Sequence, residues 1–226
     1  FNALSARMIE REGFNAMYVS GAVLANSVGG VPDVGLMTLC ESRDHVAHLA
    51  NSTTIPMIVD ADTGYGGPEN AARTVRVLEE AGASGIHLED QEFPKRCGHL
   101  PGKKLVPIDE FVEKIEAAVQ AKASRDFIVI ARTDARGVDG YDAAVSRAHA
   151  YLKAGADGVF PEALQSTEEF ARFAKDVPTL LLANMTEFGK TPYLTADEFG
   201  AMGYRLVIYP VTLQRVAMKA VGESLR

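Results

Sequence analysis

Short apolar runs alternate with longer amphipathic stretches along the whole chain. The runs Met17–Gly21, Pro56–Asp62, Gly85–Asp90, Phe127–Asp134, Gly158–Glu162, Thr179–Met185 and Arg205–Pro210 are apolar nearly throughout and rich in Val, Ile and Leu. Continuous rather than alternating apolarity predicts strands covered on both faces, as in a parallel sheet flanked by helices. Helical patterns lie around them, at Asn2–Glu12, Ser42–Ala50, Pro68–Ala81, Ile108–Ala123, Tyr141–Ala154, Thr167–Lys175, Thr195–Met202 and Leu213–Leu225. Pro68 stands at a first-turn position, where its missing N–H costs nothing. Gly82 and Gly155 follow the third and fifth of these helices, where a left-handed stop is needed. Thr195 with Glu198 has the spacing of a capping box.

Seven strands and eight helices are visible, and the first element is a helix. If every helix follows a strand, one strand is missing before Phe1, and restoring it gives the eight βα units of a closed barrel. The expected fold is therefore an α/β, (β/α)8 TIM-type barrel, its first strand lying outside the chain. An open doubly wound sheet is the competing architecture, but it calls for a glycine-rich dinucleotide turn after an early strand, and Ser20-Gly21-Ala22 is too short for one. No linker or low-complexity segment divides the sequence, so residues 1–226 are expected to form a single domain, truncated at both ends.

Composition narrows the function. A formal net charge of −7 argues against nucleic acid or an anionic membrane as the main partner. The apolar runs are too short to span a bilayer, and two cysteines are too few for a disulfide framework, so a reduced, cytoplasmic setting is expected.

Barrel chemistry sits at the carboxyl ends of the strands. Here those ends carry Ser20, Asp60, Asp62, Glu89, Asp90, Arg132, Asp134, Glu162, Asn184 and Thr186. Converging buried carboxylates need compensation, which a divalent cation and an anionic ligand would supply. Each group taken singly could equally begin a solvent-facing loop; the set together argues for a site. Asp60 and Asp62, two apart on a strand, would face one spot, and a carboxylate pair with open water positions suits Mg²⁺. Glu89, one strand over, could join them. Arg132 has the planar fork of a carboxylate clamp, or it pairs with Asp134 or Glu162. Lys95, Arg96 and His99 flank Cys97 in a Gly/Pro/Lys-rich loop, Glu92–Pro107, that could act as a lid, and their charges favour a thiolate. Cys40, beside Leu39 ahead of a helix, reads as structural. His87 could support the site, whereas His45, His48 and His149 read as helix-surface residues. No strand end carries a lysine, which leaves a Schiff-base mechanism without a nucleophile and favours metal-assisted cleavage.

Eight stretches carry a family resemblance: Val19–Gly21, Gly30–Gly35, Val59–Gly66, His87–Gln91, Lys95–His99, Ala131–Ala135, Phe160–Ala163 and Ala183–Gly189. In order and wording they resemble the isocitrate lyase/phosphoenolpyruvate mutase superfamily, and within it the branch that cleaves 2-methylisocitrate to pyruvate and succinate. The resemblance implies a Mg²⁺ cofactor held by Asp60 and Asp62 with Glu89 nearby. It implies that Cys97 protonates the carbanion left on the succinate side, with Gly98 and His99 in the same loop, and that Tyr18 is a base for the substrate hydroxyl. Ser20, Gly21, Ala22 and Arg132 would hold the pyruvate-forming part. Asp33, Glu162, Asn184, Met185, Thr186 and Arg215 would complete the pocket. A homo-oligomer, a tetramer, is implied as well, with further C-terminal helices beyond Arg226. Ala22 stands where the family often has a second glycine. Phosphoenolpyruvate mutases and phosphonopyruvate hydrolases lack the Cys-Gly-His pattern, and isocitrate lyase is longer, with insertions. A 2,3-dimethylmalate lyase shares the cysteine loop, and a non-catalytic barrel is the alternative of another class.

Overall fold

The computed structural model describes all 226 residues. All seven expected strands are present: β1 (Met17–Val19), β2 (Met57–Asp60), β3 (Gly85–Glu89), β4 (Ile128–Thr133), β5 (Gly158–Pro161), β6 (Leu180–Asn184) and β7 (Leu206–Ile208). They pair in sequence order, each parallel to the next, in one seven-stranded sheet. The sheet curls into a nearly closed TIM-type barrel that lacks one strand. The helices are α1 (Ala3–Arg11), α2 (Gly21–Leu24), α3 (Leu39–Ala50), α4 (Pro68–Glu80), α5 (Ile108–Gln120), α6 (Tyr141–Lys153), α7 (Thr167–Asp176), α8 (Ala196–Met202) and α9 (Thr212–Ser224).

Two elements escape the periodicity. The short α2 runs into a π-turn over Ala25–Gly29, where small residues give no amphipathic stripe. A 3₁₀ turn, Ala135–Gly137, follows β4. Helix α3 starts at Leu39 rather than Ser42, because Thr38 and Glu41 form a reciprocal capping box. The box expected from Thr195 and Glu198 is present at α8.

The strands sort their side chains into two sets. Val59, Ile86, Val129, Ala131 and Val159 point outward and pack under the helices in the outer core. Ile58, Ile130, Phe160, Leu182 and Ile208 point inward and fill the barrel as an apolar floor. Each such buried side chain contributes about 1.5–3 kcal/mol of transfer free energy. Two residues further along β2, β4, β5 and β6, on the same inward side, the floor gives way to Asp60, Arg132, Glu162 and Asn184, joined by Glu89 from β3. The alternation that builds the core thus also raises the site.

Candidate active site

Asp60 and Asp62 converge, though not by strand alternation. β2 ends at Asp60, and Asp62 sits in a turn with φ of +47°, the left-handed region that Asp tolerates better than most residues. Both carboxylates close over Gly21: a Cβ there would lie 2.9 Å from Asp60 Oδ2 and 3.4 Å from Asp62 Oδ1. Glycine is therefore required, and its N–H donates to Asp60 Oδ2 at 3.0 Å. Ser20 caps α2, accepting from Val23 N at 3.4 Å, and so fixes that N–H; Ala22 follows in the helix's only turn.

The Tyr18 hydroxyl lies 2.8 Å from His87 Nε2 and donates to Asp60 Oδ2 at 3.3 Å. His87, fully buried, is lowered to about 4 by desolvation and is neutral at physiological pH. Burial would raise Asp60, but His87, Lys95 and Arg132 outweigh it and bring the carboxyl to about 2. Asp62 is raised to about 6 by burial, with Asp60 and Asp33 adding to the shift against Lys95. Burial also raises Glu89 well above the usual range.

Two lysines enter the mouth from the loop, not from a strand. The Lys95 ammonium bridges Asp33 and Asp62, at 2.7 Å from Asp62 Oδ1. Burial pulls its pKa down, but Asp62, Glu89, Asp60 and Asp33 more than reverse this, so it stays protonated and is no Schiff-base nucleophile. Lys103 donates to Gly98 O and to Asp134 Oδ1.

Arg132 meets both readings of its sequence context. Its Nε and Nη2 donate to Asp134, at 3.0 and 3.2 Å, while Nη1 lies 3.0 Å from Glu89 and Nη2 3.6 Å from Glu162. Asp134 thus occupies the Nε–Nη2 edge, and the Nη1–Nη2 end is faced by Glu89 and Glu162. His99 Nδ1 accepts from Lys190 N at 3.1 Å, so the ring proton belongs on Nε2, 3.1 Å from Glu162 Oε1. Glu162 also accepts from Asn184 Nδ2 at 3.2 Å. Its burial is outweighed by Arg132 and His99, which keep it ionised. An ionised acceptor cannot bind a substrate carboxylate; Glu162 instead orients donors that can. Thr186 is buried beside the His99 loop, against the face of Gly189.

Four expectations need correcting. The Cys97 thiol is raised, chiefly by burial, so its charged neighbours do not produce a ready thiolate. Met185 points away from the mouth into the outer core, since it alternates with Asn184 and Thr186. Arg215 is half exposed on α9 and pairs with Glu187, at 2.7 Å, beside Phe188, rather than joining the pocket. Cys40 is exposed on α3 and not part of the core. The residues that sequence reasoning underrated are Lys103 and the polar hub around Asp90, which accepts from Thr133 Oγ1, Tyr151 OH and the Asp134 N–H. The i, i+2 spacing of Arg132 and Asp134 was the available signal for part of it.

No three His, Cys, Asp or Glu side chains are gathered into a closed metal cage. The donor chemistry nevertheless fits a hard cation that keeps water and ligand oxygens of its own. Glu89 Oε1 is buried without a hydrogen-bond partner, and Asp62 Oδ1 and Glu89 Oε2 face only the Lys95 ammonium and Arg132 Nη1, at 2.7 and 3.0 Å. Six carboxyl groups (Asp33, Asp60, Asp62, Glu89, Asp134, Glu162) face three cations (Lys95, Lys103, Arg132), and the proton that burial keeps on Glu89 is one a divalent ion would displace.

Comparison with known proteins agrees with this geometry. The phosphoenolpyruvate phosphomutase family model matches residues 1–226. The 2-methylisocitrate lyase of Aeropyrum pernix is 52% identical over 226 residues, covering all of this chain and 72% of that protein. Among solved structures, a 2,3-dimethylmalate lyase superimposes with a TM-score of 0.96 at 42% identity, covering all of this chain and 76% of the other. An oxaloacetate acetylhydrolase bound to 3,3-difluorooxalacetate gives 0.96 at 40%, covering 100% and 77%. With the whole length matched and more than half of the residues shared with a curated relative, the chain belongs to the phosphoenolpyruvate phosphomutase family, within the isocitrate lyase superfamily.

Proposed function

We propose that this protein is a Mg²⁺-dependent carbon–carbon lyase that cleaves 2-methylisocitrate to pyruvate and succinate, using a single barrel domain over residues 1–226. The observation that carries the reading is a thiol kept protonated by burial, on a loop packed against the anionic mouth where Asp60 and Asp62 meet. Identity of 52% to a 2-methylisocitrate lyase supports the choice of substrate.

Asp60 and Asp62, with Glu89 behind them, would hold the ion, which when bound polarises the oxygens of the nascent keto acid. The chain's own groups do the rest. Burial holds the Tyr18 phenol protonated, so it acts as a relay: it takes the proton of the substrate hydroxyl as its own passes to neutral His87 Nε2, 2.8 Å away. The C–C bond then breaks, its electron pair leaves on the succinate half, and the keto group of pyruvate forms. The Nη1–Nη2 end of Arg132, which a substrate carboxylate would take over from Glu89 and Glu162, and the Gly21–Ala22 backbone hold the pyruvate-forming part. Cys97 gives its proton to the carbanion, and His99, fixed by Lys190 and Glu162, steadies the neighbouring carboxylate. A packed loop excludes the water that would protonate the carbanion elsewhere.

No helix is long and apolar enough to cross a membrane. A cytoplasmic homo-oligomer, a tetramer, belongs to the same reading, and α9, which exposes Leu213, Val216, Met218 and Val221, supplies an uncovered apolar face for it.

The test is a coupled pyruvate assay on 2-methylisocitrate, 2,3-dimethylmalate and phosphonopyruvate, with glyoxylate scored for isocitrate and oxalate for oxaloacetate, each with and without EDTA. The expected result is EDTA-sensitive pyruvate release, fastest from 2-methylisocitrate. Turnover of phosphonopyruvate alone would overturn the reading, and preference for 2,3-dimethylmalate would reassign the substrate.

A further inference from the structure

The proposed chemistry requires the Cys97 thiol to stand at one place, yet Cys97 belongs to a loop without regular structure. Its base is secured by Gln91, whose side chain accepts from Arg96 N at 3.0 Å and donates to Arg96 O at 2.8 Å, and whose backbone bridges to Leu105. The tip needs a separate hold. Lys95 provides one, but it grips Asp62, an oxygen donor that a cation would claim.

Lys103 is different. It leaves the same loop, turns inward and is almost completely buried, at 7% exposure, which lysine rarely tolerates without partners. Its ammonium has two. One is the carbonyl oxygen of Gly98, the residue after Cys97; the other is Asp134 Oδ1, at 2.6 Å. Gly137, in the turn after β4, covers the ammonium, so that a Cβ there would stand 3.3 Å from Nζ. Asp134 is itself fixed: its N–H donates to Asp90 Oδ1 at 2.9 Å, and Asp90 is held by Tyr151 and Arg147 of α6. Gly98 has no room to drift towards the barrel either, since a Cβ there would fall 2.6 Å from Arg132 Nη2 and closer still to Glu162. None of these contacts uses Asp60, Asp62 or Glu89.

From this we infer that Lys103 is a positioning residue for the proton-donating thiol. It staples the Gly98–His99 peptide, the one that follows Cys97–Gly98, to the end of β4, and through Asp134 and Asp90 to the outer helix, whether or not a cation occupies the acidic pair. The inference rests on the role proposed for Cys97. A positively charged donor to a carbonyl and a carboxylate at once is a strong, directional hold.

The test replaces Lys103 by Met, and by Gln in a second variant that keeps a donor for Gly98 without the charge. Iodoacetamide labelling of Cys97 is followed by peptide mass spectrometry in the intact protein, with the exposed Cys40 on α3 as the internal reference. The expected outcome is labelling of Cys97 about ten-fold faster or more in the variants, the scale of losing one charge-assisted hydrogen bond, with Cys40 unchanged. Turnover should fall about ten- to a hundred-fold, as for a misplaced reacting group, while KM stays within about three-fold. Cys97 labelling equal to wild type would overturn the inference. So would an equal rise at both cysteines, which means general loosening, or a raised KM with unchanged kcat, which makes Lys103 a binding group. The lyase reading is scored apart, by pyruvate release from the wild-type enzyme; labelling decides the staple even where that release is absent.

Discussion

Cys97 shows how burial and charge compete over one atom. Arg132 and the His99 N–H lower its pKa, but desolvation prevails and keeps the proton on sulfur. That disqualifies Cys97 as a resting nucleophile and suits it as an acid, which must hold its proton until a carbanion forms. Two results are expected. Inactivation by iodoacetamide should keep accelerating above pH 9, where an activated thiolate would already have levelled off; a plateau near neutral pH would contradict the assignment. Cys97→Ser should lower turnover by about 10²–10⁴, the span of general acid catalysis, while Mg²⁺ affinity measured by calorimetry stays nearly constant. The motif Lys-Arg-Cys-Gly-His made this cysteine legible, but not its protonation state. Sequence neighbours are charged, whereas the pKa follows from packing against the barrel, which neighbour identities do not encode. Met185 and Asn184 show the opposite case: strand alternation sends one outward and the other inward, and that was readable from their spacing alone.

At the level of elements, β4 is the member through which the site is braced. Arg132 points inward to the mouth and Thr133 outward, where Asp90 receives Thr133 Oγ1 and Tyr151 OH, both at 2.8 Å, and Arg147 Nη1 at 3.3 Å. Helix α6 therefore reaches the active face through one buried carboxylate. Removing the Tyr151 hydroxyl leaves Asp90 one donor short in a site closed to water. Tyr151→Phe should cost about 1–3 kcal/mol. That corresponds to a melting-temperature loss of roughly 2–4 °C per kcal/mol in a chain of this size, read by circular dichroism. An unchanged melting temperature would show that Arg147 and Thr133 satisfy Asp90 alone. Strands and most helices were predictable because period and caps are local: all seven strands fall within their expected runs. The Asp90 hub was not, because its members lie 43 to 61 residues apart and become neighbours only when the barrel closes. Lys103 was hidden for a similar reason, since a lysine in a Gly/Pro-rich loop reads as solvated until the fold buries it.

For the molecule as a whole, the acidic mouth is a stability liability that a cation would relieve. Asp62 titrates near 6 in the folded protein against an unfolded value near 3.8. Between those pH values the folded state holds the extra proton, so stability falls as pH rises through the window and the penalty persists above 6. The shift corresponds to about 3 kcal/mol, an upper bound because Asp60, lowered to about 2, titrates jointly with it. His87 tilts an overlapping range the other way: lowered to about 4, it costs stability as pH falls from its ordinary value near 6.5. Whole-protein melting temperature against pH therefore mixes opposing terms, and comparison with Asp62→Asn isolates the one at issue. In EDTA, Asp62→Asn should gain on wild type as pH rises from 4 to 7, because the variant has no buried charge to develop. In millimolar Mg²⁺ the order should reverse at pH 7, since binding to the folded state alone adds stability in proportion to site occupancy, and the amide is a poorer ligand than the carboxylate. A variant that tracks wild type in both buffers at every pH would mean that Asp62 neither carries the strain nor meets the cation. The metal-binding role assigned to the acidic pair would then fail, independently of which substrate the enzyme cleaves.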